Sequence, residues 1–282
     1  MPRVFFITGV SSGFGRAFAT AALEAGHTVV GTLRQDAQVH AFAALAPGRA
    51  HPVLLDITDT DRIPEVIACA EATAGPIDVL VNNAGYGVEG SFEETPLDVF
   101  RQQFETNVFG TIAVTQAVLP PMRARRQGSI IFITSMGGLR TFPGISPYHG
   151  TKFALEGLAG SLREEMAPLG ITVATIEPGS FRTEWAGRSL TRVARSIADY
   201  DEIMDPIRET RRQMDGHQLG DPAKAALALL AMVDEPNPPA HLVLGTDARR
   251  MVAEARAAFD VDFARWRDLG ESTDFPEGKV LG

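Results

Sequence analysis

The sequence predicts a single α/β domain in which a doubly wound, parallel sheet of about seven strands carries helices on both faces. Three observations predict it: short, continuously apolar runs recur along the chain, the segments between them have helical character, and a glycine-rich turn follows the first run. Runs that are apolar at every position describe strands covered on both sides, which is what crossover helices do to a parallel sheet.

The runs lie at residues 4–8, 29–33, 52–55, 79–81, 130–134, 171–176 and 242–244. Between the first two, residues 15–25 are rich in alanine and carry Phe18 and Leu23, and Gly26 stands where a helix C-terminal glycine belongs, so the chain opens as a βαβ unit. Residues 148–169 place Leu155, Leu158, Ala159, Leu162 and Met166 at helical spacing, giving one apolar stripe that must pack on a neighbour. Asp221-Pro222 reads as an N-cap followed by proline at the first helical position, opening a helix that runs to Val233. Residues 184–220 break the rhythm. They are charged yet carry Trp185, Leu190, Ile197, Tyr200, Ile203, Met204 and Met214, and read either as a helical lid over a site or as surface helices packed on the core. With no repeat and no linker, residues 1–270 form one domain and 271–282 a short tail.

Composition narrows the function classes. The 282 residues hold 26 Lys+Arg and 35 Asp+Glu, a formal charge of −9, and 45% are hydrophobic, which excludes a disordered chain and argues against a nucleic-acid binder. Arg123, Arg125 and Arg126 form a local basic cluster that reads as a solvated helix end or as a contact point. One cysteine permits no internal disulfide and no cysteine-anchored metal, so no metal is expected and a reducing, cytoplasmic setting fits. The longest later apolar stretch, residues 225–233, is far shorter than the ~20 residues a membrane span needs, so no membrane insertion is expected.

Thr8-Gly9-Val10-Ser11-Ser12-Gly13-Phe14-Gly15 sits between a strand and a helix, where glycines let backbone N–H groups approach a pyrophosphate and the helix N-terminus attracts it. Its Gly-x-x-x-Gly-x-Gly spacing differs from the commonest dinucleotide fingerprint, and a structural strand-to-helix turn is the alternative. The second strand ends Gly31-Thr32-Leu33-Arg34, with no acid before Asp36. An acid there would hold a ribose hydroxyl, whereas an arginine accommodates a 2′-phosphate, so Arg34, with Ser12 nearby, favours NADP(H) over NAD(H).

Tyr148 and Lys152 stand four residues apart and so share a helix face. In a chain with only three tyrosines and with lysine only at 152, 224 and 279, such a pair arises by chance on the order of a few times in a hundred. A neutral tyrosine is a weak acid, and a cation beside it favours its phenolate. Ser135 closes the fifth run at the carboxyl edge of the sheet, where open α/β folds bind ligands; it reads as a carbonyl holder or as a turn residue. Asn107, inside an apolar helical stretch, either finds buried partners or faces solvent.

Together these motifs resemble the short-chain dehydrogenase/reductase family, whose T-G-x-x-x-G-x-G is Thr8 to Gly15, N-N-A-G is Asn82-Asn83-Ala84-Gly85, catalytic residues are Asn107, Ser135, Tyr148 and Lys152, and P-G-x-x-x-T runs from Pro178 through Gly179 to Thr183. The resemblance covers residues 4 to about 183 and is nearest to hydroxysteroid, retinol and carbonyl reductase members. It implies a Rossmann-type sheet and a nicotinamide cofactor, with Gly9, Ser11, Ser12, Gly13, Phe14 and Gly15 at its phosphates. Asp56 and Ile57 would approach the adenine, unless Asp56 is merely a loop acid, and Asn83, Ala84 and Gly85 would lie at the ribose side. Thr183 would touch the nicotinamide amide. Tyr148 is then the general acid/base, Ser135 holds the substrate oxygen, Lys152 lowers the Tyr148 pKa and holds ribose, and Asn107 positions a water.

Gly150 and Thr151 depart from the family's usual Ala and Ser, which would loosen the catalytic helix slightly. The chain after Thr183 matches poorly and leaves the substrate open. A pocket between residues 85–90, 137–146 and the segment from 180 onward would offer Phe142, Phe181 and Trp185 to a hydrophobic ketone, aldehyde or secondary alcohol, although these aromatics read equally as core. The family also implies a homodimer or homotetramer paired through the helices of Asn107 and Tyr148. A non-catalytic NADP(H)-binding regulator on the same fold is the alternative function, and an epimerase or dehydratase a third.

Overall fold

A computed structural model describes residues 1–185, 187–275 and 278. Elements follow in the order β1 (Val4–Ile7), α1 (Gly13–Glu24), β2 (Thr28–Leu33), α2 (Val39–Ala43), β3 (Ala50–Leu54), α3 (Ile63–Ala74), β4 (Val79–Asn82), β5 (Gly87–Glu89), α4 (Leu97–Phe104), α5 (Thr111–Arg125), β6 (Gly128–Ile133), α6 (Ser146–Met166), β7 (Ile171–Pro178), β8 (Leu190–Arg192), α7 (Asp201–Met214), α8 (Pro222–Asp234), β9 (His241–Leu244), α9 (Thr246–Arg265) and α10 (Arg267–Glu271).

The seven apolar runs are the seven strands of one sheet, ordered β3-β2-β1-β4-β6-β7-β9, with every pairing parallel. The order reverses between β1 and β4, which opens a crevice at their carboxyl ends. Two cores fill the two faces: Phe5, Ile7, Val81, Phe18 and Leu229 on one, Phe6, Leu80, Ile130, Val118 and Leu155 on the other. Alternate residues of the same strands thus enter opposite cores, the reason the runs are apolar throughout.

Several local expectations sharpen. The first helix begins at Gly13, two residues before the alanine-rich stretch suggests. Asp221 caps α8 as its sequence implies, its Oδ1 accepting the Ala223 N–H at 2.9 Å. Of the α6 stripe, Leu155 and Ala159 are buried while Leu158 is exposed. Two of the arginines at the end of α5 are structural braces: Arg125 donates to Glu71 and to the Ile77 carbonyl, and Arg126 donates to the Pro168 carbonyl.

One feature escapes the apolar pattern altogether: β5 and β8 pair in parallel as a separate two-stranded sheet that ties residues 190–192 to the body. Glu89 of β5 is fully buried and accepts ion pairs from Arg192 (3.5 Å), Arg208 (3.1 Å) and Arg211 (2.8 Å). Glu94 anchors the same segment through the N–H groups of Ser196 and Ile197 and through Arg195. Those backbone donors, with Ser91, hold its carboxyl down to about 2. A depressed pKa gives stability that is present above the ordinary carboxylate range and lost as pH falls toward 2, so this anchor holds throughout the neutral range.

Candidate active site

The crevice contains a cavity of about 1650 Å³, larger than the ~300–1,000 Å³ of a usual ligand pocket and so roomy enough for a dinucleotide and a second molecule. Its first wall is the turn after β1. Gly9 and Gly13 adopt φ of +72° and +55°, and a Cβ at Gly15 would collide with the Gly9 carbonyl, so these positions demand glycine. The first turn of α1 has no acidic residue and Ser12 makes no capping bond, leaving the helix N-terminus uncompensated beside Ser11, Ser12 and Phe14 in the cavity wall.

Thr8 couples this turn to β4: its Oγ1 accepts the N–H groups of Asn83 and Ala84, both at 2.9 Å, and Asn83 Nδ2 donates back to the carbonyls of Thr8 and Gly9. The wall continues through Arg34, Asp56, Ile57, Gly85, Pro178, Gly179 and Thr183. Asp56 spends Oδ1 on the N–H and hydroxyl of Thr58, a local turn, while still lining the cavity. Arg34 stands exposed at the rim with no ion pair among the described residues. A glycine cradle, a bare helix N-terminus and a rim guanidinium are the features a dinucleotide phosphate chain needs, so the residues fit that group.

At the far end Ser135, Tyr148 and Lys152 converge. Ser135 stands close enough to the Tyr148 phenol to draw its pKa down, and its Oγ accepts the Gly137 N–H at 3.0 Å. Lys152 Nζ donates to the Ile133 carbonyl at 2.8 Å and lies 5.7 Å from the centre of the Tyr148 ring. The expected net lowering of Tyr148 is not found: burial pushes the phenol up to about 12, against the pull of Ser135. Burial also brings Lys152 down to about 8, opposed by Glu156. Desolvation alone keeps the phenol protonated at neutral pH, since an ammonium beside it favours the phenolate.

Asn107 is 1% exposed, which removes the solvent-facing reading. It sits in a π-helical turn, Glu105–Gly110, between α4 and α5. Its Oδ1 accepts the Tyr86 N–H (3.1 Å), and its Nδ2 donates to the Tyr86 carbonyl (2.9 Å) and to Thr151 Oγ1 (3.1 Å). Thr151 in turn donates to the Tyr148 carbonyl, so this departure from the family pattern ties the catalytic helix to Asn107 and does not loosen it. Gly150 has a steric reason: a Cβ there would lie 3.1 Å from Phe104.

His149, which the motif reading passed over, is buried. Its Nε2 accepts the Phe142 N–H at 2.8 Å, which leaves Nδ1 as the donor to the Gly137 carbonyl at 2.7 Å. Burial lowers its pKa, so it stays neutral and straps residue 142 to the turn that follows Ser135. Only its place beside Tyr148 could have flagged it.

The three aromatics separate. Trp185 lies over Tyr148, ring centres 5.2 Å apart, and Phe142 packs on His149 at 5.6 Å. Phe181 touches the cavity but packs on Phe14 at 5.1 Å and against the core of the α1 face, the core alternative of its two readings. Residues 187–218 supply much of the remaining wall, among them Arg188, Thr191, Ile207 and Met214.

Behind Lys152, one turn further along α6, Glu156 meets Glu177 and His241, three side chains whose ligand atoms lie within 4.8 Å of one another. His241 Nδ1 is 2.9 Å from Glu177 and 3.4 Å from Glu156, and burial pushes both carboxyls up to about 7. The folded chain therefore holds extra protons between the ordinary carboxylate range and pH 7, and this cluster costs stability as pH rises through that window. Glu177→Gln should raise the melting temperature by roughly 2–4 °C, about 1 kcal/mol, at pH 8 and by much less at pH 5. Thermal melts at the two pH values check this, and an equal gain at both would rule out ionisation as the cause.

A doubly wound sheet whose crevice joins a phosphate cradle to a Ser-Tyr-Lys group defines a nucleotide-dependent oxidoreductase. The short-chain dehydrogenase family model matches residues 3–193, and the chain belongs to that family. Among solved structures, a short-chain dehydrogenase from Streptomyces avermitilis superposes with a TM-score of 0.91 at 41% identity, covering 97% of this chain and 98% of that one. The closed form of a serine dehydrogenase complexed with NADP+ gives 0.74 at 25% identity, covering 86% and 94%. Oxidoreductase BOA17 of Botryotinia fuckeliana is 34% identical over 95% of this chain and 98% of its own. The 3-ketodihydrosphingosine reductase of Bacteroides thetaiotaomicron is 31% identical over 91% and 93%. No helix among the described residues is long and apolar enough to cross a membrane.

Proposed function

We propose that the protein is an NADP(H)-dependent oxidoreductase that interconverts a hydrophobic ketone or aldehyde and the corresponding alcohol. The observation that carries this reading is a protonated Tyr148 beside Ser135 in a cavity that Arg34 also lines. When bound, the cofactor supplies or accepts the hydride at nicotinamide C4. The chain supplies the rest. Ser135 and Tyr148 donate hydrogen bonds to the substrate oxygen, and Tyr148 gives up its proton as alkoxide character develops. In the reverse direction the phenolate takes that proton back. Lys152, held by the Ile133 carbonyl, places a cation behind the phenol that stabilises the transient phenolate. Asn107 and Thr151 keep the helix in register. Trp185 and Phe142 shape an apolar mouth, and residues 184–220 form the cover. A 3-ketodihydrosphingosine reductase among the relatives, and a structural neighbour complexed with NADP+, support the substrate class and the cofactor.

The test follows NADPH and NADH oxidation with small aldehydes, aromatic ketones and long-chain ketones. NADPH should be preferred, with the apolar ketones turned over fastest. Arg34→Glu should raise the KM for NADPH at least tenfold, the scale of one charge-assisted contact of about 1.5–3 kcal/mol, and leave that for NADH nearly unchanged. Unaltered NADPH affinity in that variant would remove Arg34 from the cofactor site. Tight NADPH binding with no turnover on any carbonyl would favour the non-catalytic reading.

A further inference from the structure

The long helix α9 begins at the active site and ends in solvent. Its Asp247 accepts the Ser180 N–H at 2.9 Å and its Met251 lines the cavity. Ala248, Val252, Ala255, Phe259, Phe263 and Trp266 are spaced by three or four residues and so fall on one face. Ala248 and Val252 are buried against the body, but the same stripe then continues uncovered, with Phe259, Phe263 and Trp266 exposed by 67%, 70% and 57%. The opposite face is an ordinary wet one, carrying the Arg250–Glu254 pair.

From this we infer that the distal half of α9 is a self-association surface, packed antiparallel against the same helix of a second copy. Three arguments select that occupant. Aromatic side chains bury about 150–250 Å² each, so these three, roughly two-thirds exposed, offer on the order of 400 Å² per copy, as large as the biggest patch a monomer usually leaves open. Doubled across a two-fold axis and joined by the exposed Leu269, the patch reaches about 1,000 Å², where specific interfaces begin. Its shape is self-complementary: a stripe with aromatic knobs at i, i+4 and i+7, in which Phe259 and Phe263 already stack at 5.9 Å, is what an isologous helix pair needs. Its charge is mixed and nearly balanced, Arg256, Arg265 and Arg267 against Asp260, Asp262, Asp268 and Glu271, on a chain of net −9. An anionic lipid surface or an acidic partner would call for a basic face. The inference is independent of the catalytic reading and places pairing on a surface other than the helices of Asn107 and Tyr148.

Sedimentation velocity on the full chain at micromolar concentration tests it. The wild type should sediment as two copies or more, and Phe259→Glu with Phe263→Glu should halve that mass while the far-UV circular dichroism is kept. A wild-type monomer, or a double variant of undiminished mass, overturns the proposal. Should the double variant fail to fold, a second route remains: Cys69, the one cysteine, becomes serine and Phe263→Cys is introduced near the middle of the stripe. A disulfide-linked dimer on mild oxidation supports the pairing, and its absence overturns it. Flotation of the wild type with vesicles of phosphatidylcholine and phosphatidylglycerol, lost in the double variant, would overturn it in favour of a lipid surface.

Discussion

Tyr148→Phe is expected to fold, to bind NADPH as the wild type does, and to lose turnover by roughly 10³-fold, the scale of a general acid together with its oriented contact. Folding should survive because the ring's packing against Trp185 and His149 is kept and only the hydroxyl beside Ser135 is removed. Since burial holds the phenol at about 12, the wild type should reduce carbonyls efficiently across the neutral range and oxidise alcohols better as pH rises, because oxidation needs the phenolate. Stopped-flow measurement of NADPH binding, beside steady-state kcat, separates the chemical loss from a binding loss. A variant with more than a tenth of wild-type kcat would assign the proton transfer to another group.

Glu89→Ala should have the largest effect on stability. It leaves Arg192, Arg208 and Arg211 facing a fully buried site with no counter-charge, and breaking such a buried pair costs about 3–5 kcal/mol. The arginines are partly accessible, which places the expectation at the lower end of that range. The loss should be local. Residues 190–214 are tied down by this carboxylate, by Glu94 and by the β5–β8 pairing, so limited proteolysis should cut there before elsewhere, and substrate KM should rise more than kcat falls. Uniform destabilisation with intact protease resistance of 190–214 would show that the ion pairs do not hold the cover in place.

The sheet was legible because each of its seven strands is apolar on both faces, a pattern with one explanation in a chain this long. The catalytic group was legible for a different reason. Tyrosine and lysine are so scarce here that Tyr148 and Lys152 at helical spacing stand out, and the structure does bring them to Ser135. What pattern reading missed depends on long-range polar contacts. Glu89 is a charged residue in a three-residue strand, and nothing local announces that arginines more than a hundred positions later will neutralise it. The relation of Lys152 to Tyr148 was misjudged because a charge beside a phenol lowers its pKa only if desolvation does not raise it more, and burial is not written in a four-residue spacing. Phe181 shows the same limit: a helix or strand period assigns a face, but the choice between cavity and core is made by Phe14 and Gly220, from opposite ends of the chain.

The wide turn at Glu105–Gly110 puts part of the site's specification in a residue count. One additional residue is accommodated there without breaking the helix, and each residue advances a regular helix by about 100°. Shortening the turn by one would restore an unbroken rod while swinging Asn107 a quarter-turn or more away from Tyr86, its carboxamide unchanged and its partners gone. An insertion in a helix, ordinarily a defect to be purged, is here what aims a side chain, and no substitution of amino acids at equal length can replace it.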